Sequence, residues 1–311
     1  NDRTMGRGIF VVEMETGDII WQAGSSVADP TDDTPAATHV FKTVADMDYA
    51  IPSDVTVITD RNGTVDNRAY VGDTGGQIWR VDMADPDPQD WTVTKLASLA
   101  DTSGLSASPP DPSGLRKFLF PPDVVYSEDG YDAVLIGSGD REHPFDESVV
   151  NEFYMIKDTG AATTPIRGTG TTTGVDTTVV EGDLFNATSN CIQDSSACDS
   201  GAGETPSTAL TDLASKDGWR IELGLGEKVV GSSVTLNSVT FFNTNQPSSA
   251  TPTSCNSDLG TARQYKVLFD DATAFADQNL DGSIDALDRA EIHAGGGYLP
   301  SPVPVVVEID G

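Results

Sequence analysis

The chain has 311 residues, 37% of them apolar, with 30 Gly and 18 Pro, which suits one large all-β domain of short strands and tight turns. Its 49 acidic against 18 basic residues give a formal charge of −31. That excludes nucleic acid as a partner, because phosphate neutralisation needs clustered Lys and Arg, and it argues equally against anionic membrane surfaces. No apolar run approaches the roughly 20 residues needed to cross a bilayer as a helix, so no membrane insertion is expected. The sequence opens at Asn1 without a leader-like segment, which reads as a processed chain or an excised piece.

A strand–turn–strand unit recurs in chain order. Residues 8–21 read as an apolar run, a Thr-Gly-Asp turn and a second apolar run ending in Trp21. Residues 68–82 repeat the pattern around Gly75-Gly76, which predicts a tight hairpin with positive φ at both glycines. A third unit covers 131–139 and leads to 152–157, a fourth combines 218–223, 227–231 and 238–242, and a fifth starts at 263–269. Degenerate repeats of this kind, each with a few β-branched or aromatic strands, predict a β-propeller; the competing architecture is a β-sandwich. Trp21, Trp79 and Trp219 are expected in the sheet cores.

Three stretches break the pattern and are expected to be exposed insertions in a single domain covering 1–311: residues 25–46, 159–182 and 193–210. A short amphipathic helix is predicted near 208–216. Cys191 and Cys198 flank a short polar loop whose spacing allows a local disulfide, while Cys255 lies in a Ser/Thr/Pro loop and competes for either partner. The absence of Cys-x₂-Cys spacing and the scatter of His39, His143 and His293 exclude a zinc framework. Paired cysteines fit an oxidising, extracytoplasmic compartment.

The sharpest chemical signal is 277–288. Asp277, Asn279, Asp281, Asp285 and Asp288 occupy loop positions 1, 3, 5, 9 and 12, with Gly282 at position 6 for the sharp turn and Ser283 at position 7 offering its backbone carbonyl. Calcium takes six to eight hard oxygens, and alternating side chains on such an EF-hand-like loop aim them at one centre. Ile284 is expected to anchor the loop to the core, and a short helix is expected to leave it. A weaker relative, Asp60, Asn62, Thr64 and Asp66, lacks ligands at its first and last positions. It reads equally as an ordinary Asn-Gly turn. Asp140, Glu142 and His143 tempt an acid–base assignment, but an Asp140–Arg141 pair that turns the loop is the simpler expectation. No nucleophile elbow, phosphate loop or His-Glu-x-x-His helix is present, and no enzyme is expected.

Several segments together resemble the C-terminal propeller of the PilY/PilC family of type IV pilus biogenesis proteins. They are Gly6-Arg-Gly-Ile-Phe10 with Thr16-Gly17, the run from Tyr49 to Val55, the run from Arg68 to Asp82, the string from Gly137 to Pro144, and Gly218 to Leu223 with Gly226 to Val230. The resemblance implies a modified quinoprotein-like propeller of about seven blades, carrying calcium. It further implies a non-enzymatic role at the pilus tip in extension, retraction and attachment. The implied partners are minor pilins and a host or abiotic surface, and the implied place is extracellular or at the cell surface (the fimbrium), associated with the outer membrane. In that family a calcium loop matches Asp60, Asn62 and Asp66, here in shortened form. The rival readings are a quinone-dependent dehydrogenase, against which the lack of adjacent cysteines counts, and a plain extracellular adhesion module.

Overall fold

The computed structural model describes residues 5–25, 39–59, 68–108, 111, 113–159, 178–248 and 259–304. Sheet one joins β1 (Ile9–Val12) to β2 (Ile19–Gly24) through an antiparallel hairpin and adds β3 (Val40–Thr43) in parallel to β2. Sheet two is the antiparallel meander β4 (Thr56–Ile58), β5 (Arg68–Gly72), β6 (Gln77–Asp82) and β7 (Thr92–Ser98). Sheet three begins as a second meander, β8 (Asp123–Tyr126), β9 (Asp132–Gly137) and β10 (Glu152–Asp158). The chain then lays β11 (Val179–Val180) in parallel on β7 and, a few residues on, places β12 (Phe185–Asn186) at the edge of sheet three. Helix α1 (Pro206–Ser215) leads into β13 (Gly218–Glu222), which fills the place between β12 and β10. Sheet four contains β14 (Lys228–Val229), β15 (Val234–Leu236), β16 (Val239–Gln246), β17 (Thr261–Leu268) and β18 (Ala290–His293).

Period-two alternation explains how these sheets stack, since successive side chains leave a strand on opposite faces. On β5, Ala69 and Val71 join a core with Trp21, Met47 and Trp79 against sheet one, while Tyr70 between them joins a different core against sheet three. On β9 and β10, Val134, Ile136, Tyr154 and Ile156 face sheet two, whereas Ala133, Leu135, Phe153 and Met155 face sheet four. Sheets two and three are therefore buried on both faces, and the three cores lie between consecutive sheets. Stacked rings carry the last junction: Phe153 lies 3.8 Å from Phe242, which lies 4.6 Å from Tyr265. Trp21, Trp79 and Trp219 are all fully buried, as expected.

The architecture is all-β with a single α-helix among the described residues, and these form four sheets with no closed ring and no seven-bladed array. The expected insertions are less irregular than their composition suggested. Residues 25–46 contain β3, and the end of 159–182 contains β11 and a 3₁₀ turn whose Glu181 pairs with Arg116 at 2.9 Å. The Thr/Gly-rich 160–177 and Cys255 lie outside the described residues. The fourth sequence unit is split, because β13 pairs with β10 in sheet three rather than with the strands that follow it. The helix begins two residues before its expected start, where Thr205 accepts from the N–H of Thr208 and Pro206 occupies the first turn.

The hairpin between β5 and β6 shows why the motif from Tyr70 to Trp79 has its composition. Asp73 is fully buried and its carboxylate accepts from the N–H of Gly75 (2.8 Å), the N–H of Gln77 (3.0 Å) and the indole N–H of Trp79 (2.9 Å). Gly76 has φ +76°, but Gly75 does not need positive φ. It is required for space, because a Cβ there would lie 2.2 Å from the Tyr49 ring. Asp73→Ala removes all three acceptor bonds and strands the Trp79 indole in the core. It should lower stability by roughly 2–4 kcal/mol, read as a shift of the urea unfolding midpoint followed by tryptophan fluorescence; an unchanged midpoint would contradict this account of the turn.

Candidate metal centre

The 277–288 loop spans the gap between β17 and β18 and is fixed by its own carboxylates. Asp288 is fully buried and accepts from three backbone donors: Oδ1 takes the N–H groups of Gln278 (2.8 Å) and Asn279 (3.1 Å), and Oδ2 takes that of Asp285 (2.9 Å). Asp277 Oδ2 accepts from Gly282 at 2.9 Å, and Gly282 turns the chain back with φ +89°. Asn279 Oδ1 accepts from Asp281 (2.9 Å), Asp281 Oδ1 from Ser283 (2.8 Å) and Asp285 Oδ1 from Leu287 (2.7 Å). Each of the five predicted side-chain ligands thus uses an oxygen to hold backbone, and Asp277, Asp281 and Asp285 each retain a second carboxylate oxygen.

Asp277 Oδ1 is the most informative atom in the loop, for it is buried and has no hydrogen-bond partner. A buried, unpaired carboxylate oxygen calls for a cation or a water. The remaining free oxygens belong to Asp281 and Asp285, alongside the backbone carbonyl of Ser283. This set of hard oxygens fits calcium in chemical type. Among the described residues, however, the group of three Cys, His, Asp or Glu ligand atoms found within 4.8 Å of one another is Cys191, Cys198 and Glu204. Its sulfurs are joined in a disulfide and are not ligands. No three of the loop's carboxylates come within that distance of one another, so closure on an ion requires the loop to tighten.

Two expectations about this loop are corrected. Ile284 is exposed rather than anchored in the core, as are Leu280 and Leu287. The loop is held instead by Asp288 and by Arg289, whose guanidinium is buried beside it. The exit helix is a single 3₁₀ turn, Ala286–Arg289, because the next residues pair with β17 as β18. Asp60, Asn62, Thr64 and Asp66 lie outside the described residues.

The expected Asp140–Arg141 pair does not form. Asp140 is bonded by Lys117 and by His143 Nδ1 at 2.9 Å, while Arg141 lies over the rings of Phe120 (5.8 Å) and Tyr298 (5.6 Å). Burial raises the Asp140 carboxyl, but the bonds from Lys117 and His143 outweigh it and hold the group below the ordinary aspartate value. The disulfide between Cys191 and Cys198 is formed. One polar cavity, of about 330 Å³ and lined by Asp101, Asp111, Arg116 and Glu152 among others, was not anticipated. Its signal was the repeated Asp-x-Ser-Gly of 101–104 and 111–114.

No protein-family model matches this sequence, and no curated protein matches it.

The backbone donors on Asp288, that of Asp285 foremost, hold its carboxyl below the ordinary aspartate value. A depressed carboxylate contributes stability that is fully present above the unfolded value of about 3.9 and is lost as pH falls through the folded one. Amide exchange at 278, 279 and 285, measured by NMR without calcium and corrected for intrinsic rates, should therefore show constant protection from neutrality to about pH 5 and loss of it only below about pH 4. Protection lost already near neutrality would contradict the bonding described.

Proposed function

We propose that this chain is a non-enzymatic, calcium-binding module of a type IV pilus tip protein of the PilY/PilC kind, built on a propeller-type stack of β-sheets. The single observation that carries the reading is the buried, unpartnered Oδ1 of Asp277 in a loop already curled by Gly282 and closed by Asp288. The propeller reading draws support from the order of the sheets. They follow one another along the chain, mostly as antiparallel meanders, and the two middle ones are covered on both faces as adjacent blades would be. The pilus reading rests on the motif strings quoted above. A disulfide is compatible with an extracytoplasmic location, and no helix among the described residues is long and apolar enough to cross a membrane.

Calcium acts here on a loop whose carboxylates repel one another when empty-handed. Neutralising them draws Asp281 and Asp285 toward Asp277, stiffens the segment between β17 and β18, and changes the surface that carries Leu280 and Leu287. In this reading the pilus senses calcium through the order of one loop, with the sheets unchanged beneath it.

Calorimetric titration is the direct test. Wild-type protein should bind calcium and melt higher in its presence, by about 2.7 kcal/mol of added stability when free calcium is 100 times Kd. Asp281→Ala should abolish both effects, and a parallel Asp66→Ala titration decides whether the weaker motif contributes. A wild-type melting curve identical with and without calcium would sink the reading. Appearance of quinone absorbance on the protein after mixing would favour the dehydrogenase instead.

A further inference from the structure

The segment that runs from β12 through the disulfide touches both ends of the metal loop. On the entry side, Gln193 makes a paired contact with the backbone of Ala274, three residues before Asp277: Nε2 donates to the carbonyl at 3.0 Å and Oε1 accepts from the N–H at 2.9 Å. On the exit side, Arg289, adjacent to Asp288, donates to the carbonyls of Ala187 (2.7 Å) and Thr188 (3.2 Å) and to Asn190 Oδ1 (2.9 Å). Arg289 is 3% exposed, and among the described residues no carboxylate lies within ion-pair distance of it. Its position is set by neutral oxygens of 187–190.

These contacts come from one small, internally braced unit. Asn190 sits in the left-handed region at φ +62°, donates through Nδ2 to Gln193 Oε1 at 3.0 Å, and its carbonyl accepts from the N–H groups of Gln193 (3.1 Å) and Asp194 (3.0 Å). The Cys191–Cys198 bond ties the unit shut, with Cys191 buried in the core shared by sheets three and four. The same twelve-residue segment, 187–198, therefore contacts the chain three residues before Asp277 and one residue after Asp288.

We infer that the segment 187–198, its second part closed by the Cys191–Cys198 bond, sets the calcium affinity of the 277–288 loop, with Gln193 and Asn190 as positioning residues. The inference rests on reading that loop as a calcium site. Its physical basis is preorganisation. A loop whose ends are already fixed loses less conformational entropy when it closes on an ion, and groups that orient metal ligands are commonly worth 10–100-fold in affinity. Gln193 is the cleaner probe, because replacing it changes no charge near the ion.

The test uses the full chain in three forms: wild type, Gln193→Ala, and Cys191→Ser with Cys198→Ser. Calcium affinity is measured by calorimetry, and hydrogen exchange is followed in chelator at 277–288, with β9 and β10 as internal references. Gln193→Ala should weaken calcium binding by about 10–100-fold and speed exchange in the loop while the reference strands stay unchanged. The cysteine pair should shift both in the same direction. Equal calcium affinity in wild type and Gln193→Ala would overturn the inference and leave the calcium reading intact. Absence of calcium binding by wild type would sink the calcium reading and, with it, the affinity the inference assigns; loop exchange in chelator then still decides whether 187–198 positions 277–288. If the cysteine variant does not fold, Gln193→Ala, which keeps the disulfide, decides alone.

Discussion

The structure depends on charge being carried into the seams between sheets and matched there. Between sheets two and three, Arg80 meets Asp158 at 2.6 Å and Asp82 at 2.9 Å, Arg68 reaches Asp132 at 3.2 Å, and the Tyr70 hydroxyl donates to Asp158 at 2.8 Å. Elsewhere on sheet three, Arg116 and Arg220 both hold Glu152 Oε1 at 2.7 Å. Asp82 and Glu152 are pushed up by burial, and the arginines beside them oppose that shift. Desolvating such groups is expensive, and a buried pair contributes little net stability over an apolar one of the same shape. What it contributes is register. A strand slipped by one residue would face Arg80 into the Trp79 core and leave Asp158 unmatched, at a cost of several kcal/mol for an uncompensated buried charge.

That seam explains which parts of the fold were legible in sequence. Strands with a strong local signal, such as the runs ending at Trp21 and Trp79, were placed because alternation and turn glycines are short-range properties. The helix at Pro206–Ser215 was visible for the same reason. Sheet membership was not, since β13 looks continuous with β14 in sequence and only its pairing with β10 assigns it to sheet three. The short parallel strands β3 and β11 were hidden in polar stretches, because two to four residues borrowed onto an existing edge carry no periodicity of their own. Gly75 was read through its φ when the relevant quantity was a tertiary one, the approach of the Tyr49 ring.

The 277–288 loop was legible as a spacing motif and illegible in its supports. The spacing of oxygen-bearing residues is written along the chain, so the positions of Asp277 to Asp288 could be numbered directly. Nothing local told that Ile284 would point to solvent, because that depends on what packs beneath the loop. Nor did spacing reveal that Gln193 and Asn190, some 80 to 100 residues earlier, hold the ends of the loop. Their side chains act on Ala274 and Arg289 through backbone and amide groups, interactions that leave no compositional trace.

The placement of the arginines also bears on the surface around the proposed cation site. The chain has 18 basic residues against 49 acidic, and Arg68, Arg80, Arg116, Arg220 and Arg289 are drawn inside to serve the seams and the loop exit. Buried carboxylates, Asp82, Asp132, Asp158 and Glu152 among them, match these arginines, so the surface keeps the strong excess of acid that the composition gives. A loop with Asp281 exposed and Asp277 and Asp285 partly so sits, on such a surface, in a long-range field that attracts divalent ions, and the same field resists bringing the three together without one. The field is screened over about 8 Å at physiological ionic strength, so high salt weakens the attraction and the repulsion together. In the calcium reading proposed above, selectivity would come from the local oxygen geometry, and so from the atoms that hold the ends of the loop in place.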